Sequence, residues 1–348
     1  MKPVIAISMG DPAGIGAEIT VKALQGRGIN EKCVPVVVGD SAAIRDAIHF
    51  CKLDLKVEEI KEPSEARDED GVINLIDLKL LSPGGWEYKK AAAHTGEASF
   101  RYVVKSIELA MSGKADAVVT GPISKEAINM AGHHYSGHTE IFAGYTGTGS
   151  YGMLLSGGGL RVIHVTTHMS LEEACRTISQ QRVYRAIRLA EYSMKLLGIE
   201  HPRVGVAGLN PHASENGLFG TQERESIIPA VEQAAAEGIE VSGPVPPDTV
   251  FVKALGGQFD IVVAMYHDQG HIPIKLCGFR MDPETGKYTS MSGINCTIGL
   301  PFIRSSVDHG TAYGKAGEGR ANPDSMVEAI EAAVIMSGNM KRTKKPDF

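Results

Sequence analysis

Ile261-Val-Val-Ala-Met-Tyr-His-Asp-Gln-Gly-His-Ile-Pro-Ile-Lys275 is the stretch on which the fold reading turns. The apolar, β-branched run from Ile261 to Met265 predicts a buried strand, and it stops abruptly at Tyr266, His267, Asp268, Gln269 and Gly270. In α/β proteins a polar cluster at the carboxyl end of a buried strand is where chemistry is placed. Two other segments have the same shape, Leu160-Arg-Val-Ile-His-Val-Thr-Thr-His168 and Arg203-Val-Gly-Val-Ala-Gly-Leu-Asn-Pro-His212. If the three strands run parallel in one sheet, their ends share an edge and His168, His212 and His267 converge there. A lone strand-end histidine is ordinarily a hydrogen-bonded loop residue. Three at equivalent places point to a divalent metal with open positions for substrate oxygens, as catalytic sites need.

The whole chain bounds the answer further. Its 348 residues predict two lobes, since single cores seldom grow beyond about 250–300 residues. A hydrophobic content of 43% and a charged content of 22% are those of an ordinary globular protein. The net charge of −6, with no long basic run, argues against nucleic acid or an anionic membrane as the main partner. Five scattered cysteines, Cys33, Cys51, Cys175, Cys277 and Cys296, form no C-x-x-C pair. They predict reduced, mostly buried thiols of a cytoplasmic protein. The strand-like Val4-Ile-Ala-Ile-Ser8 predicts a chain without a leader, and no apolar run approaches the roughly 18 residues of a membrane span.

After that first strand comes Met9-Gly-Asp-Pro-Ala-Gly-Ile-Gly-Ala-Glu18. Its spacing is not that of a dinucleotide fingerprint, so the glycines predict a tight strand-to-helix turn lining a cleft. Cys33 to Gly39 reads as a second strand, with Ser41 capping a helix from Ala42 to Phe50. His94 to Met111 has helical spacing and Ala115 to Pro122 reads as a strand, with Ser124 and Lys125 opening the next helix. Gly137 precedes His138 and Thr139 where another helix begins; such a start can seat phosphate, or simply carry an N-cap threonine beside a surface histidine. Leu171 to Leu197 supplies amphipathic covering helices, and Gln222 to Ala236 another. Asp248 and Thr249 mark a further helix start, Asp248 being either a cap or a carboxylate at the metal. Asp282-Pro-Glu-Thr-Gly286 signals a turn, so the segment after Lys275 predicts an exposed hairpin before a strand from Asn295 to Ile303. Arg304-Ser-Ser-Val-Asp-His-Gly-Thr-Ala312 then closes that strand. Lys275 and Arg304 bracket the hairpin, and with His138 and Thr139 they would form a dianion site, each otherwise being an ordinary surface cation.

Taken together, Gly10-Asp-Pro-Ala-Gly-Ile-Gly16, Gly137-His-Thr-Glu140, Thr167-His168, Leu209-Asn-Pro-His212, Met265-Tyr-His-Asp-Gln-Gly270 and Val307-Asp-His-Gly-Thr-Ala312 closely resemble the PdxA family, in unbroken order from residue 4 to about 340. The resemblance implies a homodimeric, NAD-dependent dehydrogenase with the two-lobed α/β fold of isocitrate and isopropylmalate dehydrogenases, not a Rossmann fold. It places a nucleotide-binding lobe over 1–130 plus 300–348, and a lobe for metal, substrate and dimerisation over 131–299. His309-Gly-Thr-Ala312 resembles the nucleotide loop of the decarboxylating dehydrogenases, so His309, Gly310, Thr311 and Ala312 are the expected cofactor contacts. The family's metal histidines fall on His168, His212 and His267, with the site completed across the dimer interface and the ion one of Zn, Mg, Mn or Co. Its substrate contacts fall on His138, Thr139, Lys275, Asn295 and Arg304. The segment Phe279–Ser292 is absent from compact biosynthetic members and resembles the branch acting on 4-phospho-D-threonate or 4-phospho-D-erythronate.

The resemblance thus implies oxidation of a four-carbon phosphorylated hydroxy acid, followed by loss of CO2 to give dihydroxyacetone phosphate. The hydroxyl proton needs an acceptor, for which Asp248, Asp268 and a metal-bound water are the candidates. Two other readings compete: 4-hydroxythreonine-4-phosphate dehydrogenase of pyridoxal phosphate biosynthesis, and a phosphate acyltransferase-like protein. The three strand-end histidines speak against the transferase, which needs no metal triad.

Overall fold

The computed structural model describes residues 2–284 and 288–347. Along the chain the strands are β1 (Val4–Ser8), β2 (Val34–Gly39), β3 (Lys56–Glu59), β4 (Val72–Asp77), β5 (Ala117–Thr120), β6 (Gly152–Gly157), β7 (Leu160–His164), β8 (Val204–Ala207), β9 (Val241–Val245), β10 (Ile261–Ala264), β11 (Phe279–Met281), β12 (Tyr288–Met291), β13 (Ile294–Ile298) and β14 (Ile303–Val307). Helices alternate with most of them, an α/β architecture. Two compact units result, Met1–Gly149 with Leu300–Gly338 and Ser150–Gly299 with Asn339–Phe348. The first junction falls at Gly149 and not at 130, because the helix His138–Thr146 packs on the helix Ala93–Met111 and stays with the first unit. The chain's last residues, expected in the first lobe, belong to the second unit, where Asn339 donates to the Leu196 carbonyl at 3.0 Å.

In the first unit the strand order is β3-β4-β2-β1-β5-β14, and every pair is parallel. Ile5, Ile7, Val36, Val38 and Val118 are fully buried, as strands covered on both faces require. The helix Ala93–Met111 turns Phe100, Tyr102, Val103 and Ile107 inward at helical spacing. After β1 the chain reverses tightly: Gly10 has φ +83, and a Cβ there would stand 2.5 Å from the Pro122 carbonyl oxygen. Ser41 is not a cap. The helix begins at Ser41 itself, and Asp40 before it accepts hydrogen bonds from the Leu80 and Leu81 N–H groups at 2.7 and 3.1 Å and from the Tyr102 hydroxyl. Ser124 does cap its helix, accepting from the Ala127 N–H at 3.1 Å.

In the second unit the order is β13-β6-β7-β10-β8-β9. β6 is antiparallel to both neighbours, and β7, β10, β8 and β9 are parallel to one another. The three apolar runs of the sequence therefore lie side by side, with Ala264 opposite His164 and Val263 opposite Val206. The stretch from Leu171 divides into helices Leu171–Thr177 and Gln180–Leu196, the second capped by Ser179, whose hydroxyl accepts from the Arg182 N–H at 3.4 Å. The expected hairpin is β11 paired antiparallel with β12; Thr285 and Gly286 of its expected turn lie outside the described residues. Asn295 to Ile303 is not one strand. Gly299 at φ +105 and Pro301, which has no N–H to donate, break it into β13 and β14, so Arg304 sits inside a strand instead of after one. None of the five cysteines is in a disulfide; Cys33 and Cys296 are buried and the other three half-buried. Among the described residues no helix is long and apolar enough to cross a membrane.

Gly10 offers a direct check on the first turn. Gly10→Ala meets both a left-handed φ and a carbonyl oxygen, and should lower the unfolding free energy by about 2–4 kcal/mol. Gly26→Ala, at φ +61 with nothing within 4 Å of the added carbon, should cost only about 1 kcal/mol. Urea unfolding of both variants would test this; equal losses would refute the role given to the Pro122 contact.

Candidate active site

At the carboxyl ends of β7, β10 and β8 the chain leaves the sheet in three different ways. After β10, Tyr266 turns the backbone and His267 opens the helix His267–Gly278. His267 Nδ1 lies 2.7 Å from Asp268 Oδ1, so Nδ1–H donates to the carboxylate, and the neutral ring in this tautomer carries its lone pair on Nε2, as a metal requires. One helical turn later, His271 stacks on His267 with ring centroids 3.6 Å apart and planes 13° apart, and its Nδ1 lies 2.9 Å from the His267 carbonyl oxygen. Beneath them is His164, the last residue of β7, buried and 4.8 Å from the His271 ring. Burial first, and then the neighbouring His271 and His267, push its pKa down to about 3, so it is neutral. Gly270 leaves room for it: a Cβ there would stand 2.3 Å from His164 Nε2.

After β7, His168 is exposed, with its ring 5.7 Å from that of His267. Both line a cavity of about 470 Å³ together with Thr167, Met169, Tyr266 and Asp268. After β8, His212 is exposed and begins a run of left-handed backbone, with φ +53 at His212, +51 at Ala213, +68 at Ser214, +47 at Glu215 and +57 at Asn216. Each such non-glycine residue costs on the order of 1 kcal/mol, so the surrounding bonds must hold the turn. Glu223, 1% exposed, accepts from the Leu209 and Asn210 N–H groups at 2.8 and 2.7 Å and from Asn210 Nδ2 at 2.8 Å.

The expected triad is thus brought to one sheet edge, with His168 and His267 close together. Among the described residues no three His, Cys, Asp or Glu side chains of this chain are grouped closely enough to hold an ion. The oriented His267 imidazole suits a divalent ion nonetheless. Asp268 and Asp248 are both exposed, and both line a second cavity with Phe251 and Tyr266. Asp248 is not a cap, since Thr249 precedes the helix Val250–Leu255.

The first unit holds the other half of the expected site residues. Arg304 on β14 is 2% exposed; its Nη2 donates to Thr120 Oγ1 at 2.7 Å and its guanidinium lies 5.5 Å from the centre of the Phe142 ring. His138 is the first residue of the helix His138–Thr146 and Thr139 the second, so Gly137 and not Thr139 is the N-cap. Covered His138 Nε2 has no hydrogen-bond partner. Burial, and then the Arg304 charge, hold its pKa well below the ordinary value. A buried cation beside an unpartnered ring nitrogen and a helix start is a set of groups suited to an anion. Lys275, whose ammonium lies 4.3 Å from the centre of the Phe279 ring, and Asn295 on β13 belong to the second unit.

His309, Gly310, Thr311 and Ala312 follow β14 in the first unit. Ile15 N–H donates to the Thr311 carbonyl at 3.0 Å, the Tyr313 hydroxyl to Asp11 at 2.7 Å, and the Ala321 N–H to Glu18 at 2.6 Å. Lys22 donates to the Gly319 and Ala321 carbonyls at 2.8 and 2.9 Å. The expected nucleotide loop is therefore lashed to the first strand-to-helix turn. Sequence reasoning missed Asp11, Glu18 and Tyr313 here, and Glu223, His164 and His271 at the other site. Only His271 carried a usable signal, its position four residues after His267 on one helical face.

Comparison with known proteins gives this arrangement its class. The profile of the family described as "Pyridoxal phosphate biosynthetic protein PdxA" matches residues 31–333. A D-threonate 4-phosphate dehydrogenase of Cupriavidus necator is 46% identical over 329 residues, 94% of this chain and 95% of that one. The crystal structure of a 4-hydroxythreonine-4-phosphate dehydrogenase from Klebsiella pneumoniae superposes with a TM-score of 0.84 at 42% identity, covering 97% of this chain and 98% of that one. A β-decarboxylating dehydrogenase from Thermococcus kodakarensis shares the fold at 14% identity, with a TM-score of 0.50 over 97% of this chain and 84% of that one. The chain belongs to the PdxA family, and with it to the dehydrogenases.

His138 predicts a pH dependence of stability. It stays neutral when folded, whereas an imidazole in the unfolded chain protonates near about pH 6.5. Its contribution is therefore present above that pH and is lost as pH falls. The melting temperature should drop between about pH 7 and 5.5, and less steeply in His138→Gln. An equally steep drop in the variant would detach the slope from this residue.

Proposed function

We propose that the protein oxidises 4-phospho-D-threonate or 4-phospho-D-erythronate with NAD, in the presence of a divalent metal, and releases dihydroxyacetone phosphate and CO2. The observation that carries this reading is the adjacency of β7, β10 and β8, which sets the segments bearing His168, His267 and His212 at one sheet edge. The names of the similar relatives support the substrate class, since one acts on D-threonate 4-phosphate.

In this scheme Arg304, His138 and Thr139 bind the phosphate end of the substrate, and Lys275 and Asn295 are further substrate contacts, so that one carbon is presented for oxidation. A bidentate guanidinium and a neutral imidazole donating one N–H suit a dianion. His168, His212 and His267 would hold the ion, which when bound supplies Lewis-acid polarisation of the substrate hydroxyl and carboxylate. His309 to Ala312 would line the site for NAD, the hydride acceptor. Asp268 already accepts a hydrogen bond from His267 Nδ1 through one oxygen, and either Asp248 or Asp268 would take the hydroxyl proton. Oxidation of the hydroxyl turns the substrate into a β-keto acid, and CO2 leaves with its carbon–carbon electron pair retained by the substrate. The carbon takes up one proton as it does so, balancing the one lost from the hydroxyl.

A second reading, oxidation of 4-hydroxythreonine 4-phosphate, is favoured by the name of the Klebsiella structure and by the family's description. We further propose a homodimer in the cytoplasm, with the two-lobed decarboxylating-dehydrogenase fold. Support for the dimer is an apolar face on the helices Val250–Leu255 and His267–Gly278, where Val252 is 68%, Ile272 57% and Leu276 77% exposed and all three line one cavity.

NADH absorbance would be followed with the two phosphorylated sugar acids and the amino acid substrate in parallel, with and without EDTA. Turnover of a sugar acid that EDTA abolishes is expected. Preference for the amino substrate would favour the second reading, and activity unaffected by EDTA would remove the metal. His267→Ala is expected to lose at least about 100-fold in kcat/KM with an unchanged melting temperature; full activity would sink the assignment of that imidazole. For the dimer, Leu276→Glu should halve the mass measured by light scattering, and a monomeric parent protein would overturn the proposal.

A further inference from the structure

The segment carrying His212 leaves β8 through a strained turn held largely by two side chains from elsewhere in the chain. Past Ala207 the backbone turns out of the sheet, and five successive non-glycine residues then adopt left-handed dihedrals. Two buried side chains from other elements meet this departure. Gln269, 8% exposed and two residues beyond His267, uses both ends of its amide: its Oε1 accepts from the Met265 N–H at 2.6 Å and its Nε2 donates to the Gly208 carbonyl at 2.8 Å. Glu223 uses both carboxylate oxygens, accepting from the Leu209 and Asn210 N–H groups with one and from Asn210 Nδ2 with the other. It reaches them from the first position of Glu223–Ile227, a single wide π-type turn ahead of the helix Ile228–Ala236, a local feature that recurs at functional sites. Gly208 itself must stay bare, since a Cβ there would stand 2.9 Å from Ala213 Cα and 3.3 Å from Glu223 Oε1.

We propose that Glu223 and Gln269 are positioning residues that together fix the turn 208–210, and through it the His212 imidazole, against the end of β10 from which His267 starts. The inference rests on the assignment of His212 and His267 to metal binding. The chemistry of each residue is specific. Only a carboxylate offers acceptors on both oxygens for three converging donors, and only a glutamine-length amide both accepts at Met265 and donates at Gly208. Removing Gln269 leaves the buried Met265 N–H and Gly208 carbonyl unpaired, and removing Glu223 leaves the part-buried Leu209 and Asn210 N–H groups unpaired at the base of a strained turn, which then samples other conformations.

The test uses the full-length protein, stripped with chelator and titrated with Co2+ while the visible absorption band is followed. The variants are Glu223→Gln, Glu223→Ala, Gln269→Leu and Gln269→Glu, with amide hydrogen exchange over residues 209–217 measured for each. Glu223→Ala and Gln269→Leu should weaken Co2+ binding by about 10- to 100-fold, alter the band, and speed exchange within that segment. Glu223→Gln, which keeps one accepting oxygen, should fall between them and the parent, and it and Gln269→Glu serve if the harsher variants do not fold. Parental Co2+ affinity, an unaltered band and unchanged exchange in the variants would overturn the proposal. Should the parent protein itself bind no Co2+, the metal assignment fails separately, and exchange at 209–217 alone decides: acceleration confined to that segment upholds the positioning role, and none refutes it.

Discussion

The pairing of β10 with β7 on one side and β8 on the other is the constraint from which the second unit follows. Parallel strands need their connections to leave the sheet and return, so each ends in a loop at the same edge. Because Ala264 pairs with His164 and Val263 with Val206, the three departures start within about a residue of one another in register. His168, His267 and His212 are set by where those strands stop, and the cavity beside His168 and His267 is the space between their exits.

Loops that depart from strand ends carry backbone N–H groups with no ladder partner, and this chain answers that need repeatedly with buried carboxylates. Glu223 does so after β8, Asp40 for Leu80 and Leu81, and Glu18 for Ala321. Asp11 takes the Ala13 N–H and the Tyr313 hydroxyl. Burial raises the pKa of Asp11 and of Asp40, and the hydrogen bonds oppose that rise. Desolvation is offset because at least two donors meet each carboxylate, both of them at Oε1 in Glu18. Rigid loops on a rigid sheet are what a site needs if its side chains come from separate segments of the chain.

The imidazoles divide by environment in the same way. His164 and His138 are held neutral by burial, each next to other imidazoles or a guanidinium, so neither adds charge to the groups around it. His168 and His212 are exposed, and half-buried His267 is oriented by Asp268. Buried rings that shape and exposed rings that face solvent are two uses of one residue type, and sequence does not distinguish them.

Much of this was legible from residue order alone. The apolar runs ending at Met265, Val165 and Ala207 announced buried strands because length and β-branching suit no other element so well, and the collinear motifs announced the PdxA family. The helix from Ala93, the hairpin after Gly278 and the glycine turn after β1 were equally local matters of periodicity and backbone freedom. What tertiary structure alone decided was whatever depends on partners distant in sequence. Ser41 has the sequence of a cap, but the helix starts at Ser41 itself and Asp40 before it faces Leu80 and Tyr102. Arg304 fell inside β14 because Gly299 and Pro301 break the strand early. Glu223, His164 and Tyr313 gave no sequence signal of their roles, since a buried polar side chain is defined by the groups it meets across the fold, and those meetings are set by sheet order, which no local pattern encodes.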